Sequence, residues 1–170
     1  MASDVERIVA AVFGTRPVIL IDGRSGSGKT EVATELGSAL DAQLVRLDDV
    51  YPGWDGLEAG SERVRTDILL ANRWRRWDWA SDAPAEWNEL DPSRALIVEG
   101  SGSLSHANRK LATFGVWVEL DEPTRKARAL ARDGGTYEAH WDNWAAQEQR
   151  FVDRERPDLL ADYVVDQRGS

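Results

Sequence analysis

One stretch of eight residues limits what this chain can become. Gly23-Arg24-Ser25-Gly26-Ser27-Gly28-Lys29-Thr30 matches the pattern G-x-x-x-x-G-K-[ST]. A short unbroken apolar run, Val18-Ile19-Leu20-Ile21, stands before it, and a helical pattern from Thr30 to Leu40 follows. An apolar run without alternation fits a strand buried on both faces of a parallel sheet. The glycines let the backbone curl so that successive N–H groups converge on an anion. The helix opening at Gly28 adds the positive end of its dipole. Gly23, Ser25, Gly26, Ser27 and Gly28 are therefore expected to cradle the phosphates of a nucleoside triphosphate. Lys29 is the mobile charge for the outer phosphates, and Thr30 offers its hydroxyl to Mg²⁺.

The rest of the chain repeats the strand-then-helix plan. Ser3 and Glu6 form a capping-box pattern ahead of Val5, Ile8, Val9, Val12 and Phe13 at helical spacing. Gln43 to Leu47 reads as a second strand, Ser61 to Ala71 as a helix, and Ala95 to Val98 as a third strand. His106 to Phe114 reads as a helix and Val116 to Leu120 as a fourth strand. Pro123 opens a helix running to Arg132, a polar helix spans about Tyr137 to Arg154, and Tyr163 to Val165 is the last strand. Such alternation makes an α/β protein: a doubly wound, five-stranded parallel sheet with helices on both faces. Ligands in that architecture sit at the carboxyl ends of the strands. The segment Arg73 to Asp91 fits neither period and reads as an irregular excursion over that edge. No repeat or Gly/Ser/Pro-rich linker divides the 170 residues, so residues 1–170 are expected to form a single domain.

Charge and composition exclude several classes of function. Lys and Arg number 21 against 30 Asp and Glu, a net charge of −9, which is the wrong sign for holding a nucleic acid over a broad surface. No apolar run approaches the roughly 18 residues that cross a bilayer. The chain has no cysteine, which removes disulfides, thiolate metal sites and cysteine nucleophiles. Its first residues lack the basic-then-apolar layout of a secretory signal, so a cytoplasmic location is expected. The guanine-reading pattern N-K-x-D is absent, since Asn108-Arg109-Lys110-Leu111 lacks the aspartate.

Acidic residues mark two further strand ends. Asp48 and Asp49 follow the second strand, which is expected to flank the phosphate-loop strand, and Glu99 closes the third before Gly100-Ser101-Gly102. Transfer of a phosphoryl group to an alcohol needs a carboxylate at the hydroxyl proton and acidic groups at the metal. The order Gly23–Thr30, Asp48-Asp49-Val50-Tyr51, Trp77-Asp78-Trp79, Val98-Glu99-Gly100 resembles the uridine kinase and nicotinamide riboside kinase group of P-loop kinases. The resemblance runs from about Val18 to Asp166. It implies the three-layer P-loop NTPase fold with a small lid, over about 133–147, and an ATP- and Mg²⁺-dependent kinase. It also implies Asp48 as the base facing the acceptor hydroxyl, with Thr30 and Glu99 on the metal side and Asp49 beside them. Val50 replaces an aromatic residue of that group, Trp77 and Trp79 replace its Tyr and Phe, and Asp82 stands near the place of its base-reading histidine.

Two remaining clusters complete the candidate site. Arg125, Arg128 and Arg132 share one stripe of a helix, with Ala127, Leu130 and Ala131 opposite as the packing face. Mobile positive charge over a transferring phosphoryl group is what a kinase lid supplies, and Gly134-Gly135 offers a hinge. Arg132, and after it Arg128, are the expected lid arginines. Of eight tryptophans, Trp74, Trp77, Trp79 and Trp87 crowd into the excursion and Trp54 follows the acidic pair. Flat rings there can stack on a base or a sugar face, so Asp48, Tyr51, Trp54, Trp77, Asp78 and Trp79 are the expected acceptor-binding residues. Trp141 and Trp144 are expected to pack the lid helix, and His106 and His140 to lie on the surface.

The expected activity is ATP-dependent phosphoryl transfer to a hydroxyl of a small metabolite, nucleoside-kinase-like, by a monomer or homodimer. Two alternatives stay open. One is a kinase of nucleoside monophosphates or of acidic metabolites such as shikimate or gluconate, with Arg73, Arg75 and Arg76 as the anion-binding cluster. The other is a nucleotide-binding regulatory module.

Overall fold

The computed structural model describes residues 1–12 and 14–169. The expected helical residue Phe13 lies outside them. Helix α1 (Asp4–Ala11) starts at the predicted capping box: Ser3 accepts the Glu6 N–H and the Glu6 side chain accepts the Ser3 N–H. Strand β1 (Val18–Asp22) leads through the glycine loop into α2 (Lys29–Leu40), and β2 (Gln43–Arg46) passes into a single 3₁₀ turn over Leu47–Asp49. Helix α3 (Leu57–Arg63) continues as a wider π turn over Val64–Leu69. Strands β3 (Arg73–Asp78) and β4 (Ala83–Glu89) come next, then β5 (Leu96–Glu99), α4 (His106–Arg109) and β6 (Phe114–Glu119). The chain ends with α5 (Glu122–Glu155), α6 (Pro157–Leu160) and β7 (Tyr163–Asp166).

The main sheet is parallel throughout, in the order β2-β5-β1-β6-β7. Its inner strands are buried on both faces, which is why they read as continuous apolar runs. Ile19, Ile21, Ile97 and Val116 point to one side and pack with Ile8 of α1 and Val32, Ala33 and Leu36 of α2. Leu20, Val45, Leu96 and Val98 point to the other and pack with Leu57 of α3, Ile68, and Trp144 and Phe151 of α5. Helix, sheet and helix thus form three layers, as expected from the sequence. One neighbour differs. β2 was expected to flank β1, but β5 lies between them, so the carboxylates after β2 stand two strands from the phosphate loop and Glu99 stands one strand away.

Three other segments depart from the sequence reading. Residues 73–91 are not irregular: β3 and β4 form an antiparallel hairpin. Its register shifts between Arg75 and Trp77, and that irregularity breaks the alternation by which a strand is recognised. The helix expected over 106–114 stops at Arg109, and Phe114 begins β6. Residues 122–155 form one long helix with a break inside it, where Gly134 takes φ 67°, ψ −152°. That conformation is essentially confined to glycine, so the expected hinge position is a built-in kink, and residues 135–147 are helical beyond it.

Candidate active site

β1, β5 and β2 end at the same edge of the sheet, and their following loops enclose a cleft of about 290 Å³. From the phosphate loop, Ser25, Gly26, Gly28, Lys29 and Thr30 line it. Gly26 sits at φ 81°, and a Cβ there would collide with the carbonyl oxygen of Arg125 and come within 2.8 Å of its carbon. Only glycine lets the loop pass so close to the start of α5. Lys29 is largely buried, and its Nζ donates to the Arg24 carbonyl at 3.1 Å, which holds the ammonium over the loop. Gly23 and Ser27 belong to the loop but do not line the cleft; Gly23 donates its N–H to Asp22, and Ser27 is fully buried.

Across the cleft floor, the Thr30 hydroxyl donates to Glu99 Oε1 at 3.0 Å. The two residues expected on the metal side are therefore already together. Burial raises the Glu99 pKa, while the Lys29 charge and the Thr30 hydrogen bond pull it down. A hydroxyl and a carboxylate are hard oxygen donors of the kind Mg²⁺ takes, and Mg²⁺ commonly completes its shell with phosphate oxygens and water. Among the described residues no group of three or more His, Cys, Asp or Glu could hold a metal ion.

Asp48 lines the cleft and Asp49 does not. Both belong to one 3₁₀ turn, in which successive side chains point about 120° apart. Asp48 therefore faces the cleft, whereas Asp49, expected beside the metal side, is turned away from it. Loss of water and the adjacent Asp48 charge raise the Asp49 pKa. Aromatic rings also line the cleft: Tyr51, Trp54, Trp79, Tyr137 and Trp144. The Trp54 ring is the hub, with centroids 5.0 Å from Trp79, 5.5 Å from Tyr137 and 6.4 Å from Trp144. Trp79 is fixed by donating its indole N–H to the Asp48 carbonyl at 2.8 Å. Tyr51 is buried, donates to the Ser101 carbonyl, and meets Trp144 edge-on at 4.7 Å.

Several expected site residues lie elsewhere. Trp77 and Asp78 do not line the cleft. Asp78 closes the hairpin turn, accepting from the Ala80 N–H and the Ser81 hydroxyl, which lower its pKa. Trp77 stands opposite Pro84 in the hairpin. Arg132 lines the cleft mouth and pairs with Asp133 at 2.8 Å, but Arg128 is exposed and outside it. The buried arc of this part of α5 is centred on Arg125 and Ala129, and Arg128 lies about 60° round from Arg125. Ala127 and Ala131, expected to pack, face solvent instead. Arg125 is structural: buried, it donates to the carbonyls of Leu120 and Ser25. The possible anion-binding arginines do not line the cleft either: Arg73 and Arg75 both sit over the Trp87 ring, at 4.3 and 5.8 Å, and Arg76 pairs with Glu86. His106 is exposed, as expected, and pairs with Glu155 at 2.8 Å, whereas His140 is half-buried and stacks on Trp54 at 4.3 Å with planes 7° apart.

Sequence reasoning missed two buried acids behind the loop. Asp22 accepts from the N–H groups of Gly23, Leu104 and Gly102, and burial raises its pKa to about 6. An acid ending an apolar strand was the available signal. Glu148 is 2% exposed on α5 and accepts from the Ser25 N–H at 2.8 Å and the Ser101 hydroxyl at 2.6 Å. It falls on the same helical stripe as Trp141, Trp144 and Phe151, and an acid inside an apolar stripe is a legible anomaly.

No protein-family model matches the chain. Among solved structures it is similar to a protein described as a possible uridine kinase from Bacillus stearothermophilus, with a TM-score of 0.67 and 20% identity, covering 95% of each chain. It is also similar to a protein provisionally described as a fructose transport system kinase from Silicibacter sp. TM1040, with a TM-score of 0.55 and 16% identity over 94% of this chain and 96% of that one. These likenesses establish the three-layer P-loop fold. Among curated proteins it is 26% identical over 123 residues to a tRNA dimethylallyltransferase from Chlorobium phaeobacteroides (strain BS1). That match covers 66% of this chain, and the chain spans 38% of the length of that relative. Among the described residues, no helix is long and apolar enough to cross a membrane.

Proposed function

We propose that this chain is an ATP-dependent kinase that phosphorylates a hydroxyl of a small, uncharged metabolite with a flat or apolar ring face, nucleoside-kinase-like in its acceptor, and that residues 1–170 act as one domain. One observation carries the reading: Lys29, the Thr30–Glu99 pair and Asp48 face a single cleft that aromatic rings also line. The triphosphate would lie along the phosphate loop, held by its N–H groups and by Lys29. Thr30 and Glu99 would hold Mg²⁺, which would supply positive charge against the transferring group.

The remaining roles belong to the protein's own side chains. Asp48 orients the acceptor hydroxyl and takes its proton as the oxygen attacks. Arg132, released from Asp133, closes over the transferring phosphoryl group and helps to exclude water. Trp54 and Trp79 are plates for the acceptor ring. Among the described residues lining the cleft the cations are Lys29 and Arg132, and this reading assigns both to the nucleotide. That assignment leaves no lining cation for a second phosphate or a carboxylate on the acceptor, which disfavours nucleoside monophosphates, shikimate and gluconate. The net charge of −9 likewise disfavours a polyanion such as tRNA.

The test is a coupled ADP-release assay over nucleosides and sugar-like alcohols, each beside its own phosphate ester. A neutral acceptor is expected to turn over while its ester does not. A panel in which no acceptor stimulates ADP release refutes the proposal, and preference for an ester refutes the acceptor class.

A further inference from the structure

Beyond its kink, α5 touches both halves of the cleft from behind. Towards the acceptor half, Gln147 Nε2 donates to the Trp54 carbonyl at 2.7 Å and its Oε1 accepts the Leu57 N–H at 3.3 Å. One turn earlier, Asn143 donates to Asp55 at 2.9 Å, and a further turn back His140 stacks on the Trp54 ring. Towards the nucleotide half, the next residue, Glu148, takes the Ser25 N–H and the Ser101 hydroxyl on one carboxylate oxygen. Arg24 of the phosphate loop reaches back to Gln149 at 2.8 Å and to the Ala145 carbonyl at 3.2 Å.

We infer that Gln147 and Glu148 are positioning residues that couple the two substrate sites: occupation of the phosphate loop orders the acceptor loop, residues 54–57, through this segment of α5. Neither residue lines the cleft. Both are buried and polar, at 9% and 2% exposure, in a stripe otherwise filled by Trp141, Trp144 and Phe151. A helix held on its own core needs no such pair, whereas a helix that must fix two backbone loops in register needs one polar link to each. Adjacent positions on a rigid helix cannot move independently, so a loop fixed at Glu148 restricts the loop fixed at Gln147. Coupling of this kind is reciprocal: an acceptor bound against Trp54 tightens nucleotide binding by the same factor.

The inference rests on the nucleotide-binding reading above, and amide hydrogen exchange of the full chain with Mg·ADP as the probe separates the two. In the wild type, Mg·ADP is expected to slow exchange across the phosphate loop and, remotely, at Leu57 by about fivefold or more. Glu148→Met and Gln147→Met keep side-chain volume and remove the polar links. Each is expected to keep the phosphate-loop protection and lose the effect at Leu57. Because the links act in series, the double variant is expected to lose no more than either single one. Glu148→Gln, which keeps an acceptor oxygen for Ser25, is expected to restore part of the remote effect. Remote protection that survives Glu148→Met, or a wild type protected at the phosphate loop but not at Leu57, overturns the coupling. Absence of protection at both loops overturns the nucleotide-binding reading itself, and the coupling with it.

Discussion

Replacing Gly26 by alanine tests the tight seat of the phosphate loop on the start of α5. The residue's φ of 81° costs an L-residue about 1–2 kcal/mol. The new methyl would overlap the Arg125 carbonyl oxygen and sit 2.8 Å from its carbon, and both atoms are backbone that cannot rotate away. Relieving such an overlap costs about 1–3 kcal/mol more. Lower entropy of the unfolded chain returns about 0.4–1 kcal/mol, leaving a net loss of roughly 1–5 kcal/mol. For a domain of this size that lowers the melting temperature by roughly 2–20 °C. Gly37→Ala is the control: Gly37 lies inside α2 with no heavy atom within 4 Å of its would-be Cβ. Alanine there is expected to stabilise by about 0.5–1 kcal/mol. Thermal melts followed by circular dichroism read both. If Gly26→Ala melts with the wild type, or moves in the same direction as Gly37→Ala, the close approach of loop and helix is wrong.

Other outcomes follow from the same geometry. Asp48→Asn is expected to lower acceptor-stimulated turnover by about 10²–10⁴-fold, while calorimetry shows Mg·ADP affinity unchanged within error. Gly134→Ala disfavours the kinked conformation, and nothing else crowds that position. It is expected to raise helical ellipticity and lower turnover, with the melting temperature held or raised. Asp22 titrates near pH 6 when folded and from an ordinary 3.8 when unfolded. Between those values the folded protein keeps a proton that the unfolded chain has released. Its contribution to stability is therefore fullest below about pH 4 and is lost as pH rises through 6. Denaturant melts from pH 4 to 7 of wild type and Asp22→Asn are expected to diverge over that window by roughly 3 kcal/mol; parallel curves contradict the assignment.

The sheet was legible because burial on both faces writes itself as unbroken apolar runs, and the phosphate loop because glycine, lysine and threonine are each fixed by phosphate geometry. Strand order was not legible. Nothing in Gln43–Arg46 says that a strand arriving fifty residues later inserts between it and Val18–Asp22. The side on which Asp48 and Asp49 fall depends on a 3₁₀ turn that pattern reasoning does not separate from an extended strand end. The hairpin of 73–89 was hidden because one register shift and a mixture of arginine and tryptophan erase its period. Arg128 failed for a related reason: spacing defines a stripe but not which edge of it turns towards the cleft. Glu148 and Asp22 show the opposite case. Each stands out of place in an apolar pattern, so the signal was present in the sequence although neither acid was expected at the site.

Titration of Mg·ADP into the wild type and into Lys29→Ala tests the central claim most directly. Loss of the ammonium that Arg24 holds over the loop removes a charge-assisted hydrogen bond to phosphate. It is expected to weaken binding by roughly tenfold or more while the melting temperature of the free protein changes little. Equal affinity in the two proteins would mean that the triphosphate is not gripped at this loop.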